Sequence, residues 1–327
     1  MAVRKTEGRL PEGLSPDDLG QSISSPDGKA ILISYIISPL VVNRTNTYVV
    51  FVPDLDVAAS VESYEWMITE ENAAPTTQNT SIGELVYVPQ TVSNLTVQVK
   101  AMANGNSEVA SLSLSQEVVA TNAELEELIL SAADQPGPGI GNPDVARELV
   151  NDHNPYYQNV TLLTPENGDG FKQFVFSMVS DGALQRNPAQ RKSMIDQLAA
   201  SLNNGTDDYT TLISEGAGIC KIRMTMLAMV IPDIVTWTEL PEDPSARLTA
   251  DEQLRQTLAA VDENKKIDLF NLVRFPKSNI TQCGKILEAL RNRYFANANF
   301  NDVLTGMSGT RAHWISRHYR EGPILTN

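Results

Sequence analysis

Leu212–Ile231, LISEGAGICKIRMTMLAMVI, is the most apolar run in the chain that has helical spacing, and the reading of the rest turns on it. Ile213, Ala217, Cys220, Met224, Leu227 and Ile231 recur at three- and four-residue steps, which predicts one continuous helical face. Ile219, Ile222, Met226, Met229 and Val230 cover much of the remaining circumference. The expected element is therefore a helix over 212–231, surrounded in a bundle and stopped by Pro232. Gly216 and Gly218 are poor helix formers, and their presence is understood if another backbone approaches closely there. A membrane span is disfavoured, because Glu215, Lys221 and Arg223 fall inside a window of about 20 residues.

Upstream of this run the texture is β. Ala30–Ser38, Thr47–Val52, Glu62–Thr69, Gly83–Val88, Asn94–Ala103 and Val109–Val119 are runs of β-branched and aromatic residues bounded by turn residues. Two of them alternate cleanly. Leu95, Val97, Val99 and Ala101 oppose Thr96, Gln98 and Lys100, and Leu112 and Leu114 oppose Ser111, Ser113 and Ser115. Such alternation places one face in a core and one in water, as in an antiparallel sheet. Asn104-Gly105-Asn106 is the hairpin signal between these two strands.

Val61-Glu62-Ser63-Tyr64-Glu65-Trp66, then Leu85-Val86-Tyr87, then Leu95-Thr96-Val97-Gln98-Val99-Lys100-Ala101 resemble the Ig-like β-sandwich domains of the PKD and bacterial Ig-like type. The resemblance covers about residues 30–120 and implies that Trp66 belongs to the core between two sheets. Domains of this kind bind, space or decorate. A glycine- and aspartate-rich turn usually follows the tryptophan in PKD domains; this chain has Met67-Ile68-Thr69-Glu70-Glu71 there instead.

The remainder reads as helices. Residues 1–29, rich in Pro, Gly, Ser and Asp, are expected to form a flexible arm. Residues 121–143 are expected to be a linker: a short acidic helix, Ala123–Ala132, and a Pro/Gly-rich hinge, Gln135–Pro143, that lacks the Lys-Ser/Thr of a phosphate loop. Residues 144–327 are expected to be an all-α domain. Its helices are read at Asp144–Asp152, Gly170–Ser180, Pro188–Leu202 and 212–231, then from a capping box at Thr249-Ala250-Asp251-Glu252, and at Ile267–Val273, Ile280–Phe295 and Asn301–Arg320. The expected fold class is thus a multidomain α and β protein, an Ig-like antiparallel β-sandwich followed by an all-α helical domain.

Composition narrows the partners. The 327 residues carry a formal charge of −15, which disfavours nucleic acid. From Lys265 onward, however, ten Lys and Arg face four Asp and Glu. Two cysteines, Cys220 and Cys283, are too few for a disulfide framework and sit in apolar helical patterns, as buried thiols do. MAVRKTEGRLPEGLSPDDLGQ has no apolar signal-peptide core, so synthesis in the cytosol is expected, with a final location on a particle or outside the cell by another route.

Three patterns carry potential chemistry. Arg311–Arg320, RAHWISRHYR, interleaves cations and aromatics; Arg311, His313, Arg317, His318 and Arg320 could grip a carboxylate-rich partner, a phosphate or a glycan. The plainer reading is a terminal helix with Trp314 and Ile315 inward and its arginines against acidic neighbours. His313 and His318 are five residues apart, which turns them to different helix faces, and no metal site or cofactor is expected. Glu215, in an apolar setting, could serve as a general acid for glycan cleavage if Asp207 or Asp208 supplied a second carboxylate about 5–10 Å away. The plainer reading places Glu215 in a first helical turn. Asn167-Gly168-Asp169-Gly170 reads as a turn, since the further oxygen ligands of a calcium loop are missing. The sequence thus points to a non-catalytic structural or interaction protein with protein partners, a component or cargo of a phage or phage-tail-like particle; the alternative is an exported, lysozyme-like cell-wall hydrolase.

Overall fold

The two alternating segments become strands of 10 and 13 residues. A computed structural model describes residues 2–120, 170–171, 174–175, 177–179, 186, 188–206, 216–304 and 309–323. The protein is a mixed α and β chain that divides into two units, Met1–Glu124 with Phe275–Lys277, and Leu125–Arg274 with Ser278–Asn327.

The first unit holds two sheets. In one, β1 (Gln21–Ser24), β2 (Ile31–Ser34), β4 (Asn46–Phe51) and β7 (Glu84–Tyr87) lie in that order, all antiparallel. The other has the order β3 (Leu40–Val41), β9 (Ser107–Val119), β8 (Asn94–Ala103), β5 (Val61–Glu70) and β6 (Thr76–Thr80). Its pairs are antiparallel except β3 with β9, where Leu40 meets Val118 in parallel register. Leu95, Val97, Val99, Ala101, Leu112 and Leu114 are buried, and Ser111, Ser113, Ser115 and Lys100 are exposed, so the period-2 pattern marks the inner face correctly. Trp66 is buried as expected, its indole Nε1 donating to Thr80 Oγ1 at 2.8 Å.

Gln116 is the exception on that inner face. Its Oε1 accepts from Tyr48 OH at 2.8 Å and Ser34 Oγ at 3.2 Å, and its Nε2 donates to Gln21 Oε1 and Ile36 O, both at 2.8 Å. A buried amide with both ends satisfied joins β9 to strands of the other sheet without the penalty of an orphaned polar group. Glu70 makes a second polar link. It is buried, accepts from Tyr87 OH at 2.6 Å, from Gln90 N at 2.8 Å and from the Thr91 hydroxyl.

The flexible arm expected at 1–29 is instead built into this unit. A 3₁₀ turn (Lys5–Glu7), α1 (Pro16–Leu19) and β1 occupy it, Leu19 is fully buried, and Arg4 bonds both Glu7 and Glu84. Its composition is turn-rich, but β1 adds a strand to β2, and a few apolar anchors fix the rest. A second short helix, α2 (Leu55–Ser60), is capped by Asp54. Phe275 packs with Leu19, Ile31, Ile33, Val49 and Phe51, its ring centroid 4.9 Å from that of Tyr35.

The described residues of the second unit are mostly helical. α3 (Pro188–Asn204), α4 (Met224–Val230), α5 (Pro244–Ala259), α6 (Glu263–Arg274), α7 (Pro276–Tyr294), α8 (Phe300–Leu304) and α9 (Gly309–Glu321) are described. The apolar stripes assigned to them are buried, including Leu198 on α3, Leu258 on α5, Leu269 on α6, Cys283, Ile286, Leu287 and Leu290 on α7, and Ile315 on α9. Two expectations fail. α5 starts at Pro244, with Asp243 Oδ1 accepting from Ala246 N at 2.8 Å; Thr249 lies mid-helix and its hydroxyl donates back to Ser245 O. Proline fits a first turn better than an interior, so Asp243-Pro244 wins the start.

Within the described part of the helix expected over 212–231, only the seven residues of α4 are helical. Before it, Ala217 and Ile222 form an isolated antiparallel bridge, with N–H···O distances of 2.8 and 2.9 Å closing a tight hairpin. Gly216, Gly218 and Lys221 have φ of +76°, +71° and +50°, values a right-handed helix cannot contain. The close backbone approach inferred at the glycines does occur. A Cβ on Gly216 would lie 2.3 Å from Lys221 O, and one on Gly218 would lie 2.6 Å from Val273 O. The linker helix and hinge at 121–143, the helix at 144–152, the turn at 167–169 and residues 212–215 lie outside the described residues.

Candidate functional site

α9 carries the cation–aromatic pattern, and its spacing sorts the residues. Ala312, Ile315, Ser316 and Tyr319 are buried at helical intervals, while Arg311, His313 and Arg320 are exposed. His318, on the buried side, is thus turned away from the exposed Arg311, His313 and Arg320. Arg311 lies over the Phe295 ring at 5.9 Å, and Arg317 over Trp314 at 5.9 Å. His318 is on the buried side, stacked between Tyr294 (centroids 4.3 Å apart, planes at 13°) and Trp314 (5.1 Å, 27°). Arg320 contributes its carbonyl, which accepts from Arg223 at 3.2 Å.

The arginines meet acids of the same unit. Glu321 takes Arg317 at 3.3 Å and Arg247 of α5 at 2.5 Å. Asp251 takes Arg223 at 2.5 Å and Arg255 at 3.5 Å. Burial lowers the pKa of Arg223 from its ordinary value, and the Asp251 carboxylate acts in the opposite direction. Beyond the stacked imidazole, Glu239 Oε1 accepts from Arg293 Nε at 2.7 Å and stands 3.4 Å from Tyr294 OH. Arg293 in turn covers the Trp237 ring at 5.3 Å. Burial first, then the Glu239 charge, push the Tyr294 phenol up to about 12. Desolvation lowers the His318 pKa below 6.5, which holds the ring neutral in its stack.

Glu239, Arg293, Tyr294 and Trp237 are the members of this cluster that sequence patterning left unassigned to it. Trp237 and Glu239 sit in a segment between helices with no periodicity, so no spacing rule ties them to α7 or α9. The carboxylates considered for glycan cleavage, Glu215, Asp207 and Asp208, lie outside the described residues. Among the described residues no three His, Cys, Asp or Glu side chains are grouped to hold a metal ion, and no helix is long and apolar enough to cross a membrane. The α9 cluster packs and pairs: Tyr294 and Trp314 stack on His318, Arg317 pairs with Glu321, and Arg293 pairs with Glu239. No protein-family model matches the chain, and no curated protein or solved structure matches it.

Proposed function

We propose that the chain is a non-catalytic structural or interaction protein with protein partners, a component or cargo of a phage or phage-tail-like particle, built of an Ig-like sandwich and a helical unit. The observation that carries this reading is the pairing of arginines on and around α9 with acids of the same unit. Arg317 and Arg247 both pair with Glu321, Arg223 pairs with Asp251 and Arg293 with Glu239, so these guanidinium groups are answered by the protein's own carboxylates. Strand order supports the Ig-like assignment. With β2, β4, β5, β6, β7, β8 and β9 taken as strands A, B, C, C′, E, F and G, strands A, B and E share one sheet and C, F and G the other, with the tryptophan on C.

The test separates this reading from a cell-wall hydrolase. Purified protein is incubated with labelled peptidoglycan beside a Glu215→Gln variant. Release at the buffer rate by both is expected, whereas release by the wild type that the variant loses would make the chain an enzyme. Particle association is read independently, by whether the chain co-sediments with the high-speed particle fraction of producing cells.

A further inference from the structure

The hairpin at 216–222 and helix α7 bring the chain's two cysteines together. Both are free thiols and fully or almost fully buried. Asn279 lies one turn before Cys283 on α7, and its Oδ1 accepts from Cys220 N at 2.9 Å. Its Nδ2 donates to Ala217 O at 3.1 Å and to Val273 O at 3.0 Å. The backbone of Cys220 is thereby pinned against the face of α7 that also presents Cys283. The absence of a side chain at Gly218 permits this, since a Cβ there would stand 2.1 Å from Asn279 Nδ2. From α9, Tyr319 OH donates to Cys220 O at 2.9 Å and holds the other side. Burial, and after it the neighbouring Cys283 thiol, push the Cys220 pKa well up.

We propose that Cys220 and Cys283 are a redox-closable clasp, oxidised by a hydroperoxide to a disulfide that fastens the hairpin to α7. In the first step one sulfur, losing its proton, attacks the terminal peroxide oxygen. The O–O bond breaks, the thiol becomes a sulfenic acid, and the hydroperoxide leaves as the alcohol, or as water from hydrogen peroxide. The second sulfur then attacks the sulfenic sulfur and displaces its oxygen as water. Two thiols have lost two electrons and two protons, and the peroxide has taken them. The protonated, buried state makes the pair slow to react, so the closure responds to sustained oxidant rather than to a passing pulse. The new bond closes a loop of about 60 residues, long enough to restrict the unfolded chain strongly.

The experiment uses the full chain, reduced and then held in hydrogen peroxide, unfolded in the presence of an alkylating reagent and weighed intact. The expected product is 2 Da lighter than the reduced protein, carries no alkyl group, and is monomeric without reductant. Its helical-unit melting transition rises by about 10 °C and returns on treatment with dithiothreitol. Cys220→Ser and Cys283→Ser each retain one alkylatable or sulfenic thiol and show no such rise. Circular dichroism confirms that both variants fold, and the wild-type mass stands as a readout without them. Two alkylated thiols after peroxide treatment, a disulfide between chains, or a disulfide that leaves the melting transition unmoved would each overturn the proposal.

Discussion

The inner face of β8 and β9 and the glycine segment before α4 are both apolar and both buried, yet only the first follows its pattern. In the strands each inward residue alternates with a polar one, so the period alone fixes which way every side chain points. In 212–231 the apolar residues are so dense that almost any period fits them. Two glycines decide the outcome: at positive φ they fold the backbone into a hairpin before the helix can begin. Dense hydrophobicity predicts burial well and conformation poorly.

That contrast can be broken most severely in the sheets. Trp66→Ala removes the largest buried side chain of the first unit, and a loss of about 4 kcal/mol is expected in that unit's denaturant transition. Trp66→Phe, which keeps a ring and gives up the bond to Thr80, should lose less than half as much. In the hairpin, Gly218→Ala forces a methyl into Asn279 and the Val273 carbonyl at φ +71°, and should cost about 3 kcal/mol in the helical unit. Gly28→Ala sharpens the point. Its φ is also positive, at +73°, but nothing lies within 4 Å, so only the backbone penalty of about 1 kcal/mol remains.

These costs map onto what could be read in advance. β8 matches its sequence-derived bounds and β9 begins two residues earlier than expected, because long alternation is redundant: losing one residue leaves the rest of the pattern intact. β1, β3 and β6 were not legible. They are short edge strands, and β6, TTQNT, presents mostly exposed polar residues, so no inner face marks it. Gln116 was equally hidden, since its partners are contributed by residues 68 to 95 positions away. The α9 residues could be named from RAHWISRHYR but not placed, because the rings that meet His318 and Arg311 include Tyr294 and Phe295 at the end of α7 and just beyond it. Both the helical face of 312–319 and the burial of Trp66 were legible from spacing and resemblance.

A smaller effect tests the stacked imidazole. His318 has a folded pKa below its unfolded value of 6.5, so the stability its neutral form supports is fully present above that value and is lost as the pH falls toward the lowered folded pKa. The helical unit's melting temperature should fall between pH 7 and pH 5. His318→Phe, which keeps a ring between Tyr294 and Trp314 without a titrating group, should flatten that slope; an unchanged slope would place the titration elsewhere. Smallest of all is the start of α5. Asp243→Ala should cost about 1 kcal/mol through the lost cap, while Thr249→Ala, in the helix interior, should stay within about 0.5 kcal/mol of wild type.

The most direct test is the backbone conformation of 216–231 in solution, read from NMR chemical shifts and amide exchange. The account predicts non-helical Cα shifts from Gly216 to Arg223, a positive φ at Lys221, slow exchange at the bridged amides of Ala217 and Ile222, and helical shifts only from Met224 to Val230. Unbroken helical shifts through Gly216 and Gly218 into α4 would contradict it, and would remove the contact between the hairpin and α7 on which the paired cysteines depend.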